Sequence, residues 1–314
     1  MMGNLVMKPV DAKPATSKPL TPGAISTKQS NAKQSDAKPA DAKPASRPKR
    51  AAPTSTKATP PRIRTIALPV EHGSWGLTLE PILLGLLVAP TWAGAGLALG
   101  AFGAFLLRGP LKVAYTSLRQ RRRERMQIAL RFAALYALIA ALGLGVAVSR
   151  AGLQPLWPLA LALPFGVVFF IQDAQNQSRS WQAELAGPIA FAAIASCIAL
   201  IDGWAVAPAL ALWAVLVARA LTSVLYIRTR LRMDRGRSYQ ALPVIAAHGF
   251  ALLDVVAMVW AGLLPLAVVG IFVLILLRTL WGLSSYRRAT SIQALGVTEI
   301  GWGLATVLSV AAGI

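Results

Sequence analysis

Long apolar runs separated by short polar breaks dominate the chain from Trp75 to its end. Each run has about 20 residues, the length with which an α-helix crosses the ~30 Å hydrocarbon core of a bilayer. The pattern therefore predicts an all-α polytopic membrane protein with about nine transmembrane helices. Only residues 262–265 separate the seventh span from the eighth. The predicted spans are 74–91, 93–112, 126–148, 154–172, 184–201, 205–227, 241–261, 263–283 and 294–313.

Composition agrees with this class and divides the chain in two. Hydrophobic residues make up 55% of the chain and charged residues only 14%, which is too apolar for a soluble domain. Residues 1–64 differ, because they hold thirteen Lys and Arg against three Asp and repeat "DAKPA" at Asp11, Asp36 and Asp41. Such a segment lacks the apolar residues needed to fold. We predict a disordered tail over 1–64, without specific nucleic-acid binding, and a helical bundle over 69–314.

The arginines between the spans predict the orientation. The breaks after the second, fourth, sixth and eighth spans contain residues 119–125, Arg179, residues 228–237 and residues 287–288, whereas the opposite breaks contain only Arg150. Because Lys and Arg accumulate in cytoplasmic loops, this bias places the tail in the cytoplasm and the C-terminus outside.

Ionisable residues within the spans share one depth. Charged groups are costly in a bilayer, so they usually face a cavity or a partner. Most of them lie in the half of the span nearer the arginine-rich breaks, which favours a cavity open to the cytoplasm, although those near span ends could instead snorkel to the headgroups. The group comprises Glu80, Arg108, Asp173, Glu184, Arg219, His248, Arg278 and Glu299, with Asp254 near the middle of its span.

Two helix ends repeat one pattern of side chains. Arg108, Lys112, Tyr115 and Arg119 recur along one helical face after the second span, and a matching stripe follows the sixth span. Guanidinium groups and phenols in such stripes suit the capture of phosphate or carboxylate. We expect anion binding by both stripes and by Arg278, the second stripe being Arg219, Ser223, Tyr226 and Arg230.

A second repetition supports an internal duplication of four-helix units. "SWGLTLEPI" from Ser74 resembles "SWQAELAGPI" from Ser180, which aligns the first two spans with the fifth and sixth. The sequence has no phosphate-binding GK[ST] loop, no HExxH and no close Cys/His cluster, so no cofactor or metal is predicted.

Four stretches of the chain together resemble the bacterial YwiC-like membrane proteins. They are "PVEHGSWGLTLEPILLGLLVAP", "ARALTSVLYIRTRLR", "HGFALLDVVAMVWAGLLP" and "GVTEIGWGL". The resemblance extends from about residue 69 to the end and implies a multi-pass protein of the bacterial plasma membrane, without an established activity.

In architecture, the chain is more distantly similar to the UbiA-type intramembrane prenyltransferases. That resemblance implies nine helices, a cavity facing the cytoplasm, and functional loops after helices two and six. In those enzymes the two loops hold a diphosphate through magnesium with aspartate-rich motifs, whereas the loops of this chain contain only Glu124 and Asp234 as acids. Arginines could bind an anionic headgroup here without a metal.

These observations predict a protein that binds an anionic or isoprenoid lipid, or a phosphorylated precursor, in a cytoplasm-facing cavity. Glu71, His72 or Asp254 would supply any proton transfer, so the sequence leaves catalysis open. Two alternatives remain: a transporter or exporter of a small organic anion, and a membrane scaffold whose tail recruits partners.

Overall fold

The computed structural model describes residues 66–68, 72–175, 177–288 and 290–314, apart from the side chains of 72–74. These residues include nine α-helices of 16 residues or more, and no strand occurs among them. A 3-10 turn, Gln154–Leu156, precedes the fourth helix. The helices are α1 (His72–Val88), α2 (Trp92–Arg119), α3 (Arg123–Ala151), α4 (Trp157–Ala174), α5 (Trp181–Ile201), α6 (Val206–Asp234), α7 (Leu242–Trp260), α8 (Ala267–Gly282) and α9 (Ile292–Ala311).

The nine predicted spans correspond one to one with the nine helices, which confirms the predicted fold class. Seven helical segments are long and apolar enough to cross a membrane, and the apolar parts of α1 and α8 are shorter. The helices α2, α3 and α6, with 28 or 29 residues, exceed the predicted spans. Each is about 42 Å long, so it continues beyond a ~30 Å hydrocarbon core. The predicted tail over 1–64 lies outside the described residues.

Hydroxyl side chains define where three of the helices begin. The Oγ1 atom of Thr91 accepts a hydrogen bond from the Gly94 N–H at 3.0 Å. Ser180 and Ser291 do the same for the N–H groups three residues ahead, at 3.2 and 3.1 Å. Each hydroxyl satisfies a backbone donor that the first helical turn leaves unpaired. The short segments between the predicted spans thus also contain the residues that cap the following helices.

Glycines bring α2 and α3 into close contact. A Cβ atom built on Gly96 would lie 2.9 Å from the Gly143 carbonyl oxygen, and one on Gly103 would lie 2.7 Å from the Ala140 nitrogen. Only glycine permits this approach of the two backbones, which is a common way to pack helices in lipid. The two helices therefore form a tight antiparallel hairpin.

The small residues of α5 make it the centre of the bundle. Ala192, Ala193, Ala195 and Ala199 are all buried, and α5 contacts α1, α2, α4 and α6. The helices α3 and α4 lie at the periphery, where large apolar side chains such as Leu142 are exposed. An apolar exterior of this kind suits contact with lipid acyl chains.

Polar contacts join the arginine-rich helix ends to one another. Arg108 near the end of α2 binds Asp173 near the end of α4. Arg228 on α6 binds Glu184 in the first turn of α5, and Arg230 donates to the Gly282 carbonyl at the end of α8. The four breaks with a positive-charge bias therefore lie at the same end of the helices, as the predicted topology requires; which side of the membrane that end faces stays a prediction.

Candidate functional site

Four charged side chains from four helices meet inside the bundle. Nη2 of Arg219 on α6 lies 3.5 Å from Oε1 of Glu80 on α1, and its Nη1 lies 3.5 Å from Oε2 of Glu299 on α9. Arg278 on α8 forms an ion pair with the same Glu299. We call these four residues the buried charge cluster. Two arginines and two glutamates balance in formal charge, which lowers the cost of removing them from water.

Glu299 is the most connected member of the buried charge cluster. Its Oε2 atom accepts a 2.5 Å hydrogen bond from the Ser223 hydroxyl. Its backbone carbonyl accepts a 2.6 Å hydrogen bond from Nη2 of Arg219. The Arg219 side chain is only 2% exposed, and its Nε atom has no hydrogen-bond acceptor in the described part of the chain. The carboxylate of Glu299 therefore fixes the positions of both arginines.

Aromatic and imidazole groups border the cluster beside Arg278. The guanidinium carbon of Arg278 lies 3.8 Å from the centre of the Tyr226 ring and 6.0 Å from that of Trp302, so cation–π attraction adds to its ion pair. On α7, Nδ1 of His248 lies 2.8 Å from the Val244 carbonyl and Nε2 lies 2.9 Å from the Thr279 hydroxyl. The Thr279 hydroxyl also lies 2.9 Å from the Ile275 carbonyl, and these contacts hold the imidazole between α7 and α8.

The first stripe binds a different carboxylate. Arg108 donates two hydrogen bonds to Asp173, from Nε at 2.9 Å and from Nη2 at 2.8 Å, and Lys112 donates a third from Nζ at 2.9 Å. Phe169 lies under the Arg108 guanidinium at 4.5 Å. Two cations share one carboxylate, so this group retains one net positive charge. Lys112 lies one turn after Arg108 on α2, so two successive turns of this helix bind Asp173.

The remaining stripe residues lie apart from both groups. Tyr115 is exposed, with the guanidinium of Arg119 over its ring at 5.0 Å. Arg230 is buried and binds Asp234, the Gly282 carbonyl and the Arg288 carbonyl. That set of partners ties the end of α6 to the end of α8 and the segment that follows it.

The structure thus distributes the predicted site residues over several places. Arg219, Ser223, Tyr226 and Arg278 meet at the buried charge cluster. Arg108 and Lys112 meet at Asp173, whereas Asp254 is exposed on α7, away from the cluster. Glu71 and the side chain of His72 lie outside the described residues. Anion binding by the two stripes and Arg278 stays a prediction, as does proton transfer by Glu71, His72 or Asp254.

Sequence reasoning omitted the acidic members of the cluster from the candidate site. Glu80 and Glu299 were expected to share the depth of the arginines, but nothing in the linear pattern pairs a residue of α1 with one of α9. Within the described residues, no three His, Cys, Asp or Glu side chains lie together in a way that could hold a metal ion.

A cleft with excess positive charge lies where α2 and α3 turn into each other. It has a volume of about 410 Å³, and Arg125 contributes a buried Nε atom that has no hydrogen-bond acceptor in the described chain. A second depression of about 390 Å³ shares Ser117 and Arg122 with it and adds Arg121 and Arg123. We call the first depression the basic cleft; its lining residues are Lys112, Val113, Thr116, Ser117, Gln120, Arg122 and Arg125.

The helices that span the bilayer and the charges inside them define a multi-pass helical membrane protein. Within that class, residues 68–200 match the family model described as YwiC-like protein. The match covers α1 to α5 and confirms the predicted resemblance to this family. Comparison with curated proteins and with solved structures gives no match. Similarity to the UbiA-type enzymes stays a prediction.

Proposed function

We propose that this protein binds a phosphate-bearing anion, the headgroup of an anionic lipid or a phosphorylated precursor, in the basic cleft. The observation on which the proposal rests is the unpartnered Nε of Arg125 in a cleft that also contains Lys112 and Arg122. Arginine forks and a lysine ammonium are the groups that bind phosphate oxygens in proteins.

The charge around the cleft supports an anionic ligand. Asp173 offsets only one of the two cations that it binds, and Lys112 lies at the boundary between that group and the cleft. Arg121, Arg122 and Arg123 follow in sequence at the turn, where Glu124 is the nearest acid along the chain. The cleft is therefore positive without a ligand.

The position of the cleft favours a ligand at the membrane surface. Because α2 is about 42 Å long, its arginine-bearing end projects past the hydrocarbon core to the level of the headgroups. By the distribution of arginines, this end faces the cytoplasm. Cytoplasmic leaflets are rich in anionic lipids, and each Lys or Arg near such a surface contributes about 1 kcal/mol to attraction.

Native mass spectrometry of the purified chain with defined lipids tests the proposal. We expect phosphatidylglycerol and phosphatidic acid to be retained over phosphatidylcholine, and the double variant Arg122→Ala/Arg125→Ala to weaken retention roughly thirtyfold, as two contributions of about 1 kcal/mol imply. Arg131→Ala is the matched control, because Arg131 is exposed on the same helix and outside the cleft.

Competition separates the two sources of the phosphate. If soluble glycerol phosphate displaces the lipid at millimolar concentration, a free phosphorylated precursor is the favoured ligand; if only a full lipid competes, the site takes lipid headgroups. Equal retention of charged and zwitterionic lipids, or unchanged retention in the double variant, would refute the proposal.

The buried charge cluster supports a second candidate, transport of a small organic anion. The cluster is balanced in charge and joins α1, α6, α8 and α9. In a transport cycle, a substrate anion would replace the Glu299 carboxylate as the partner of Arg278. Currents recorded from proteoliposomes on a solid-supported membrane, with a panel of small carboxylates, test this function. Currents abolished by Glu299→Gln would support it, and silence across the panel would favour the lipid-binding function.

A further inference from the structure

One carboxylate within the predicted spans has no partner in the described part of the chain. Asp254 is the thirteenth residue of α7, about 5 Å along the helix from the centre of its predicted span. It forms no hydrogen bond and no ion pair with any described residue, and its side chain is exposed. It therefore lies on an exposed face of a helix that is long and apolar enough to cross a membrane.

The other intramembrane carboxylates show how the protein treats such groups. Glu80 and Glu299 bind Arg219, Asp173 binds Arg108, and Glu184 binds Arg228. Each of these acids therefore has a cationic partner from another helix. Asp254 has no such partner among the described residues. It also lies nearest the middle of its span, where an unpaired charge costs most.

The face of α7 around Asp254 is otherwise apolar and open. Phe250 is 71% exposed, Leu253 64% and Trp260 91%. The opposite face of the same helix is buried and includes His248 and Val255. A one-methylene side chain cannot reach the headgroups from this depth as a long Lys or Arg side chain does.

Small residues let another helix approach this face. Ala247 and Ala257, seven residues before and three residues after Asp254, lie on the same side of α7 as that residue; Ala257 is exposed and Ala247 half-buried. Small residues at a helix surface allow a second transmembrane helix to come close enough for a polar contact. Exposure, small residues and an unpaired acid thus coincide on one stripe.

We propose that the outer face of α7 binds a transmembrane helix of another protein that places a Lys or Arg beside Asp254. Charge complementarity selects this occupant, because a basic side chain would neutralise the carboxylate where water cannot. A second copy of this chain fits less well. Two-fold contact along α7 would bring the Asp254 carboxylates together, and like charges repel.

Association with a designed helix tests the proposal. The full chain, labelled with a fluorescent donor, is reconstituted in lipid vesicles with an acceptor-labelled Leu/Ala peptide that has one central Lys. The matched peptide has Leu at that position. We expect energy transfer to the Lys peptide, association about tenfold weaker with Asp254→Asn, and no difference between the variants for the Leu peptide.

Two further variants make the result specific. Asp202→Asn removes an exposed acid at the end of α5 and should leave association unchanged. The variant Asp254→Lys should no longer associate with the Lys peptide and should associate instead with a peptide that has a central Asp. If neither peptide responds to residue 254, the proposal is wrong; energy transfer between two labelled copies of the chain that Asp254→Asn abolishes would assign this face to self-association and would equally overturn it.

Discussion

The guanidinium of Arg219 contacts Glu299 at two places, the backbone carbonyl and the side-chain carboxylate of that residue. Its Nη2 donates to the Glu299 carbonyl at 2.6 Å, while Nη1 lies 3.5 Å from the carboxylate. This double contact joins α6 to α9 at the place where Glu80 approaches from α1.

Arg219→Met should destabilise the protein strongly. It would leave Glu80 without its cation and Glu299 with one cation instead of two, and breaking a buried ion network costs about 3–5 kcal/mol. We expect the unfolding temperature in detergent, followed by circular dichroism, to fall by roughly 10 °C. Adding Glu80→Gln restores the charge balance and should recover at least half of the loss. A double variant no more stable than the single one would show that charge balance does not govern this site.

Gly303→Ala should separate Glu80 from Arg219. A Cβ atom at position 303 would overlap the Glu80 carboxylate, whereas one at Gly301 would meet no atom within 4 Å. We therefore expect Gly303→Ala to lower the free energy of unfolding by about 1–3 kcal/mol, as overpacking does. Gly301→Ala, on the same helix, should have no cost. Equal unfolding temperatures for the two variants would contradict the close approach of α1 and α9.

Arg230→Ala should loosen the end of α8. The side chain of Arg230 donates to the Gly282 carbonyl, which the helix end leaves without a helical partner, and to the Arg288 carbonyl in the segment that follows. Because Arg230 is buried, we expect faster hydrogen exchange at residues 279–288 by mass spectrometry. Arg232→Ala is the control, since Arg232 is exposed and has no ion pair among the described residues. Identical exchange in both variants would argue against this role of Arg230.

A reporter fused after Ile314 should lie outside the cell. Nine spans with the arginine-rich ends in the cytoplasm place the last helix end on the opposite side. Alkaline phosphatase fused there should be active, and the same enzyme inserted after Arg235 should be inactive. The reverse result, or activity at both positions, would refute the predicted topology.

The apolar pattern of the sequence by itself determined the helices. A helix in lipid must satisfy its own backbone groups, so a run of about 20 apolar residues has no other stable conformation. This is why nine runs predicted nine helices. The common depth of the charged residues also follows from sequence, because depth depends only on distance along a span.

Only the tertiary structure decided which charges meet. The two stripes have the same spacing, yet Arg108 binds Asp173 on α4 while Arg219 binds residues of α1 and α9. Spacing along one helix fixes the face on which a side chain lies, but not the helix that packs against that face. The same reason explains Asp254: its depth predicted a polar cavity, but the packing of α7 directs it outward. Pairing of charges is a property of helix neighbours, which the linear pattern does not specify.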